Sequence, residues 1–423
     1  MADFEHLADS GSSGGHSGGV GDVGDMGSVG GAGSMGSTPV PQQALQPTPQ
    51  KRMRYIFNNV GTEPRGSGDD AERIMEYIER NMDDALTYHA RTEKSPLVVR
   101  DLPGIKNLYV KDESHRMGLM AFKIMGVSYA VHRLEQAGTL KKGSTITTMT
   151  DGNHGAAVSY IAKERGLKAV IFVPRNMTTE RKERIQKYGA DLRIVDGMYD
   201  DAIAEVKRQA SENGWVLISD TAWSGYETVP KDISTGYCAI FHEAIEYINR
   251  NGHCYPTHIF LQAGVGGFPS AGFAYAVSKM VPRPKLICVE PEDADCFLEN
   301  IGQGCRAGTL MCRGETNSIM SGLNCGLPST TAWPIMRDYV DLFVAVSDEW
   351  AREAVRNLYH SEKSIVVGES GAAGLAGLLA CIDCPDTAGG LGLNKDSCVL
   401  IVNTEGATDK NIFQQIIGQQ VRT

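Results

Sequence analysis

From residue 51 onward, short β-rich runs alternate with amphipathic helical stretches. This alternation limits the fold more than any other feature, because strands separated by helices pair side by side as parallel βαβ units. Two such series can be read. The first runs from "STITTMT" (144–150) through the helical "GAAVSYIAKERG", the strand "KAVIFVP", the helical "TTERKERIQKYG" and the strand "DLRIV" to "WVLISD". It makes a four-strand set ending near Asp220. The second includes "THIFLQAG" (257–264), a helix after Gly267, "KLICVE" (285–290), "DLFVAV" (341–346), the helical "GAAGLAGLLA" and finally "SCVLIVNTEG". Both sheets are expected to be covered by helices, and no internal repeat points to a solenoid.

A chain of 423 residues is long enough for more than one lobe of this kind. Its formal net charge of −10 argues against a general nucleic-acid binder, which needs a surplus of Lys and Arg facing phosphates. No apolar run is long enough to span a bilayer, and the N-terminal stretch has neither the blocks of a secretion signal nor the arginines of a transit peptide, its first Lys or Arg being Lys51. Small polar ligands remain the expected partners, with neither nucleic acid nor membrane among them. The ten cysteines are scattered through segments that read as buried, so reduced thiols in the cytoplasm are expected. No metal site is expected: the Cys381–Cys384 CxxC has no second pair, and "HEAIEY" from His242 lacks the second histidine of a zinc-binding HExxH. Residues 1–50 hold too little apolar surface to offset the entropy of ordering them and are expected to be a disordered extension. Their "GVGDVG" (19–24) is a GxGxxG in form only, since no strand precedes it and no helix follows.

Four stretches fall where open α/β sheets bind ligands, at strand C-termini or helix starts. "HRMGLMAFKIMG" places Lys123 among Met117, Leu119, Met120, Ala121, Phe122, Ile124 and Met125. A lone lysine is usually a solvated surface charge, but in an apolar stretch burial lowers its pKa and favours a nucleophilic amine. "TDGNHG" (150–155) contains Asp151, Asn153 and His154, and on its own it reads equally as a strand-to-helix turn with Asn153 as cap. In "LQAGVGGFPSAG", Gly264, Val265, Gly266 and Gly267 lead into a helix. Glycines there let backbone N–H groups approach a phosphate, a tight βα turn being the competing reading. "IVNTEGATD" delivers Thr404 and Glu405 to a loop. A reactive lysine, a phosphate-cradling turn, an asparagine and a hydroxyl at a strand end are together what pyridoxal phosphate requires.

These stretches, with "DTAWSGYETVP" (220–230), "VEPEDADC" (289–296), "SIMSGLNCGLPS" (318–329) and "GESGAAGL" (368–375), resemble the fold type II pyridoxal phosphate enzymes, and among them the diaminopropionate ammonia-lyase branch. The resemblance runs from about Tyr55 to the C-terminus. It implies an α/β fold of the tryptophan synthase β-like kind, with a large cofactor-binding domain (51–125 and 224–423) and a small domain (126–223) inserted in it. Lys123 is the implied Schiff-base lysine, Asn153 the partner of the cofactor's phenolic oxygen, Gly264 to Gly267 the phosphate loop, and Thr404 the partner of the ring nitrogen. His154 and Gly155 are implied to shape the turn and the helix start. Asp151 stands where this branch carries an acid/base; Asp220 and Tyr199 match positions near the substrate. The implied reaction is α,β-elimination of D- and L-2,3-diaminopropionate to pyruvate and two ammonia, by a homodimer. A serine or threonine dehydratase-like lyase and a catalytically idle scaffold are the alternatives.

Overall fold

The computed structural model describes residues 50–58, 69–150, 152–175, 177–195 and 199–418. The expected N-terminal tail, apart from Gln50, lies outside them, as does Asp151. The strands are β1 (Met53–Phe57), β2 (Leu97–Arg100), β3 (Asn107–Asp112), β4 (Thr145–Met149), β5 (Lys168–Pro174), β6 (Asp191–Val195), β7 (Val216–Leu217), β8 (His258–Gln262), β9 (Lys285–Pro291), β10 (Leu342–Val346) and β11 (Cys398–Asn403). Seven form one sheet in the order β1-β10-β9-β8-β11-β3-β2, and four form a second in the order β6-β5-β4-β7. The small sheet is parallel throughout. The large one is parallel from β10 to β3 and closed at its two edges by antiparallel strands, β1 against β10 and β2 against β3.

Strands β8, β10 and β11 are buried at every residue, as a parallel sheet covered on both faces requires. Their side chains sort by the two-residue period of a strand. Ile259, Leu261, Leu400 and Val402 join one apolar core, while Phe260, Val399 and Ile401 join the other with Leu375, Ala376 and Leu378 of the helix Glu369–Asp383.

The helices that concern the site are α1 (Asp69–His89), α2 (Lys123–Gln136), α3 (Asn153–Arg165), α4 (Thr179–Gln186), α5 (Tyr199–Asn213), α6 (Thr228–Arg250) and α7 (Gly267–Lys279). Helices α2 and α6 touch through glycines. A Cβ on Gly126 would lie 2.6 Å from the Ile233 carbonyl oxygen, and one on Gly236 would lie 2.7 Å from that of Met125. Only glycine admits this approach, and it fixes where α2 begins, at Lys123.

Beneath the segment that leads to Lys123 lies a buried ionic cluster. Lys111 Nζ donates to Glu243 (2.6 Å), and Arg116 donates to both Glu113 (2.8 Å) and Glu243 (2.7 Å). All four side chains are nearly solvent-free, so their charges are tolerated only because each is paired. Glu243 belongs to the "HEAIEY" stretch, and this pairing is its structural use.

One expectation is corrected: the cysteines are not all reduced, because Cys254 and Cys398 form a disulfide. Cys398 opens β11 and Cys254 sits just ahead of β8, so pairing of these neighbouring strands brings the two sulfurs together from 144 residues apart. Among the described residues no helix is long and apolar enough to cross a membrane, and no group of three or more His, Cys, Asp or Glu is arranged to hold a metal ion.

Candidate active site

Lys123 is the first residue of α2, and the chain reaches it through a contorted approach. Met117 (φ 49°) and Met120 (φ 60°) both take left-handed backbone, which costs an ordinary residue about 1 kcal/mol or more. Neighbouring strand ends hold that conformation in place. The Phe122 N–H donates to the Thr404 carbonyl (3.1 Å), the Gly406 N–H donates to that of Met120 (3.0 Å), and Ala121 bridges to Glu405. The loop after β11 therefore fixes the Lys123 segment and carries Thr404 beside it.

The Lys123 side chain is about one-fifth exposed (21%), and its Nζ donates to Asp220 Oδ2 at 2.5 Å. This corrects the expectation of a lowered lysine pKa. Burial does oppose the charge, but the Asp220 carboxylate outweighs it and holds the ammonium above the usual lysine range. Asp220 in turn sits well below the usual carboxylate range: burial raises it, and the Lys123 ammonium, which also hydrogen-bonds the carboxylate, more than offsets that. Tyr226 pins the strand end that carries Asp220, its hydroxyl donating to the Leu217 carbonyl (2.8 Å) and accepting from the Ser219 N–H (2.9 Å).

The glycine loop joins β8 to α7. Gly266 has φ +94°, and a Cβ there would collide with Phe297 at 2.3 Å. Gly267, the first residue of α7, is different: its nearest neighbours to a would-be Cβ are Ser234 Oγ at 3.5 Å and the Asp220 carbonyl at 3.6 Å. The helix N-terminus thus presents its free N–H groups and positive dipole end to a space that no side chain of its own fills. The Val265 carbonyl accepts from Ser329 N–H (2.9 Å), which holds the loop from the other side.

Asn153 opens α3, and its amide donates to Glu405. Thr404 Oγ1 accepts from Gln262 Nε2 at 3.0 Å. With its oxygen so engaged, the Thr404 hydroxyl has its own hydrogen left to give. Lys123, Asn153, Asp220, the loop from Gly264 to Gly267 and Thr404 are thereby linked through shared contacts around the C-terminal ends of β4, β8 and β11. Asp151 lies outside the described residues, and so does the side chain of Tyr199, whose backbone starts α5.

Sequence reasoning missed three residues here. Gln262 orients Thr404; it was legible as a polar side chain ending an apolar strand. Glu405 was quoted in a motif but given no task. Glu369 is buried (3% exposed), and its Oε1 has no hydrogen-bond partner among the described residues. Burial first, then the charges of Glu405 and Asp409, push its carboxyl up to about 7.

An amine, an open glycine-lined helix N-terminus, an amide donor and a hydroxyl donor form a set whose chemistry fits an aldehyde cofactor carrying a phosphate. The comparisons agree. Residues 92–404 match the family described as pyridoxal-phosphate dependent enzyme. The chain is 35% identical over 339 residues to diaminopropionate ammonia-lyase of Escherichia coli K12, covering 75% of this chain and 84% of that one. It is 30% identical over 275 residues to serine racemase of Oryza sativa subsp. indica, covering 65% and 74%. The crystal structure of the Escherichia coli ammonia-lyase in complex with an aminoacrylate-PLP azomethine reaction intermediate superposes with a TM-score of 0.74 at 32% identity, covering 88% of this chain and 98% of that one. The chain belongs to the pyridoxal-phosphate dependent enzymes of fold type II, in the branch that contains diaminopropionate ammonia-lyase.

Proposed function

We propose that this chain eliminates ammonia from 2,3-diaminopropionate, accepting both D and L isomers and yielding pyruvate and a second ammonia once the product meets water. The observation that carries this reading is the partly buried Lys123–Asp220 pair next to a helix N-terminus left open by Gly267. It is supported by the 35% identity to the Escherichia coli enzyme. Bound pyridoxal phosphate supplies an electron-withdrawing ring that stabilises negative charge developing at a substrate Cα. Lys123 would hold the cofactor's aldehyde carbon and, when free, would take the Cα proton from its own face. Asn153 would orient the phenolic oxygen, the N–H groups from Gly264 to Gly267 would hold the phosphate, and the Thr404 hydroxyl would donate to the ring nitrogen. A neutral donor there withdraws less charge than a carboxylate partner would induce, which favours elimination over transamination. Ammonia leaves readily only when protonated, so an acid near Cβ is needed; Asp220 and Asp151 take that part. Asp151 serves as base on the opposite face, and Tyr199 contacts substrate.

In this reading residues 126–223, with the small sheet, act as a small domain against 51–125 and 224–423, and the enzyme works as a cytoplasmic homodimer in amino-acid catabolism. A dehydratase acting on serine or threonine is the second reading, supported by the crystal structure of the Escherichia coli ammonia-lyase in complex with D-serine, a β-hydroxy amino acid.

The test is a keto-acid and ammonia assay on D- and L-diaminopropionate, serine and threonine, repeated for Asp151→Asn. Preferred turnover of diaminopropionate is expected, with the variant losing most activity on the D isomer and less on the L isomer. Faster turnover of serine sinks the substrate assignment. An equal loss on both isomers sinks the role of Asp151.

A further inference from the structure

The ion pair that marks the site also poses a problem for it. An ammonium held by Asp220 has no lone pair, so Lys123 is inert as a nucleophile until its proton goes elsewhere. His154 faces the same carboxylate oxygen. Its Nε2 lies 2.7 Å from the Ile218 carbonyl, and a carbonyl only accepts, so Nε2 carries the hydrogen and the neutral ring keeps its lone pair on Nδ1. That Nδ1 is buried, has no hydrogen-bond partner among the described residues, and lies 3.7 Å from Asp220 Oδ2.

The 3.7 Å separation exceeds a hydrogen bond, as it should when a lone pair faces an ionised carboxylate. With a proton on Oδ2 the two groups attract instead, and an O–H to N hydrogen bond forms. We propose that His154 accepts, through Asp220, the proton that Lys123 must lose. The N–H bond at Nζ breaks, Oδ2 takes the proton and passes it on, and an N–H bond forms at Nδ1. Lysine goes from ammonium to amine and histidine from neutral to cation, so no net charge is created in the site. His154 acts only through Asp220, as a positioning residue for the proton.

The charged groups facing His154 are Asp220, from the segment after β7, and Lys123, from α2. Burial keeps the ring neutral; Asp220 opposes this, and the positive charge of Lys123 reinforces it. Proton transfer removes that lysine charge, so the ring becomes a better acceptor as the transfer proceeds. Around the pair, Tyr226, Tyr237 and Cys325 add polar neighbours to Asp220 and Lys123. This inference rests on the reading of Lys123 as the reactive amine.

Two measurements on the full chain test it. In the cofactor-free wild type, nitrogen-15 spectra of the histidine rings should show His154 with a bare Nδ1 at alkaline pH. The signal is assigned by its loss in His154→Gln or, if that variant does not fold, by its displacement in Asp220→Asn. A ring with hydrogen on Nδ1 and a bare Nε2 overturns the proposal. Second, pyridoxal phosphate is added to cofactor-free wild type and His154→Gln, whose amide still reaches Ile218, and the initial rise of violet-region absorbance is followed between pH 7 and 9. The wild-type rate is expected to be flat, because its proton moves internally. The variant should climb about tenfold per pH unit, since it must lose that proton to solvent. Profiles of the same shape overturn the relay while leaving Lys123 in place. Absence of violet absorbance in the wild type removes the reading of Lys123, and the relay with it.

Discussion

Two adjacent glycines separate the structural demands of the loop from its binding role. At Gly266, alanine meets both a left-handed φ of +94° and a Phe297 ring atom 2.3 Å away. The backbone penalty is about 1 kcal/mol and forcing a methyl group into a packed core costs about 1–3 kcal/mol, so Gly266→Ala should lose roughly 2–4 kcal/mol. At Gly267 nothing comes closer than 3.5 Å and the backbone is helical, so alanine should leave stability unchanged or improve it by up to about 1 kcal/mol. Its methyl group, however, enters the space before the helix N-terminus. Weakening one charge-assisted hydrogen bond to phosphate costs about 1.5–3 kcal/mol, or roughly ten- to hundredfold in cofactor affinity. The assay is unfolding of the cofactor-free proteins beside a pyridoxal phosphate titration read by absorbance. A Gly267→Ala protein with wild-type cofactor affinity would refute the placement of the phosphate. Destabilisation beyond about 1 kcal/mol would refute the geometry, since helix propensity alone predicts a small gain.

Glu369→Gln tests a buried acid. Its carboxyl is raised by burial first to about 7, against about 4.3 in an unfolded chain, so its contribution to stability is full below the unfolded value and fades as pH rises through about 7, by about 4 kcal/mol in all. The variant should gain melting temperature relative to wild type between pH 5 and pH 8; a difference independent of pH would show that Glu369 is already ionised. Glu243→Gln leaves Lys111 and Arg116 underpaired in a dry site and should cost about 3–5 kcal/mol. A thermal melt within a degree of wild type would show that the cluster is dispensable.

How legible the molecule is from sequence depends on whether a feature is local. The strands "KAVIFVP" and "DLRIV" coincide with β5 and β6, and the four-strand set is the small sheet, because each element announces itself by its own apolar run. "WVLISD" shrinks to the two residues of β7, with the Ile218 N–H still bonded to Thr147 of β4 (2.8 Å) before the chain turns away at Asp220. Strands β1 to β3 went unread. β1 and β2 are antiparallel edges, and β1 is half-buried, so they lack the continuous apolar signature of a central strand. The motifs singled out Lys123, Asn153, the glycine loop and Thr404, which the fold brings together, but nothing in them showed that Asp220 would reverse the effect of burial on Lys123. Long-range pairings were illegible for the same reason: the Cys254–Cys398 disulfide and the Lys111, Glu113, Arg116 and Glu243 cluster join residues that only the finished fold brings together.

The order of strands in the large sheet also governs when the enzyme can come into being. β11 stands between β8 and β3, and its register with β3 pairs Asn403 with Asp112, so the middle of the sheet waits for the last described strand to leave the ribosome. Until then β2 and β3, and the Lys123 segment that follows them, have no central partner. The small sheet draws all its strands from one continuous stretch, between Thr145 and Leu217, and is free to assemble during synthesis. The order of synthesis therefore lets the small sheet form before the cofactor site is complete, and a chain cut just before β11 leaves β8 and β3 with an open seam of unpaired backbone between them.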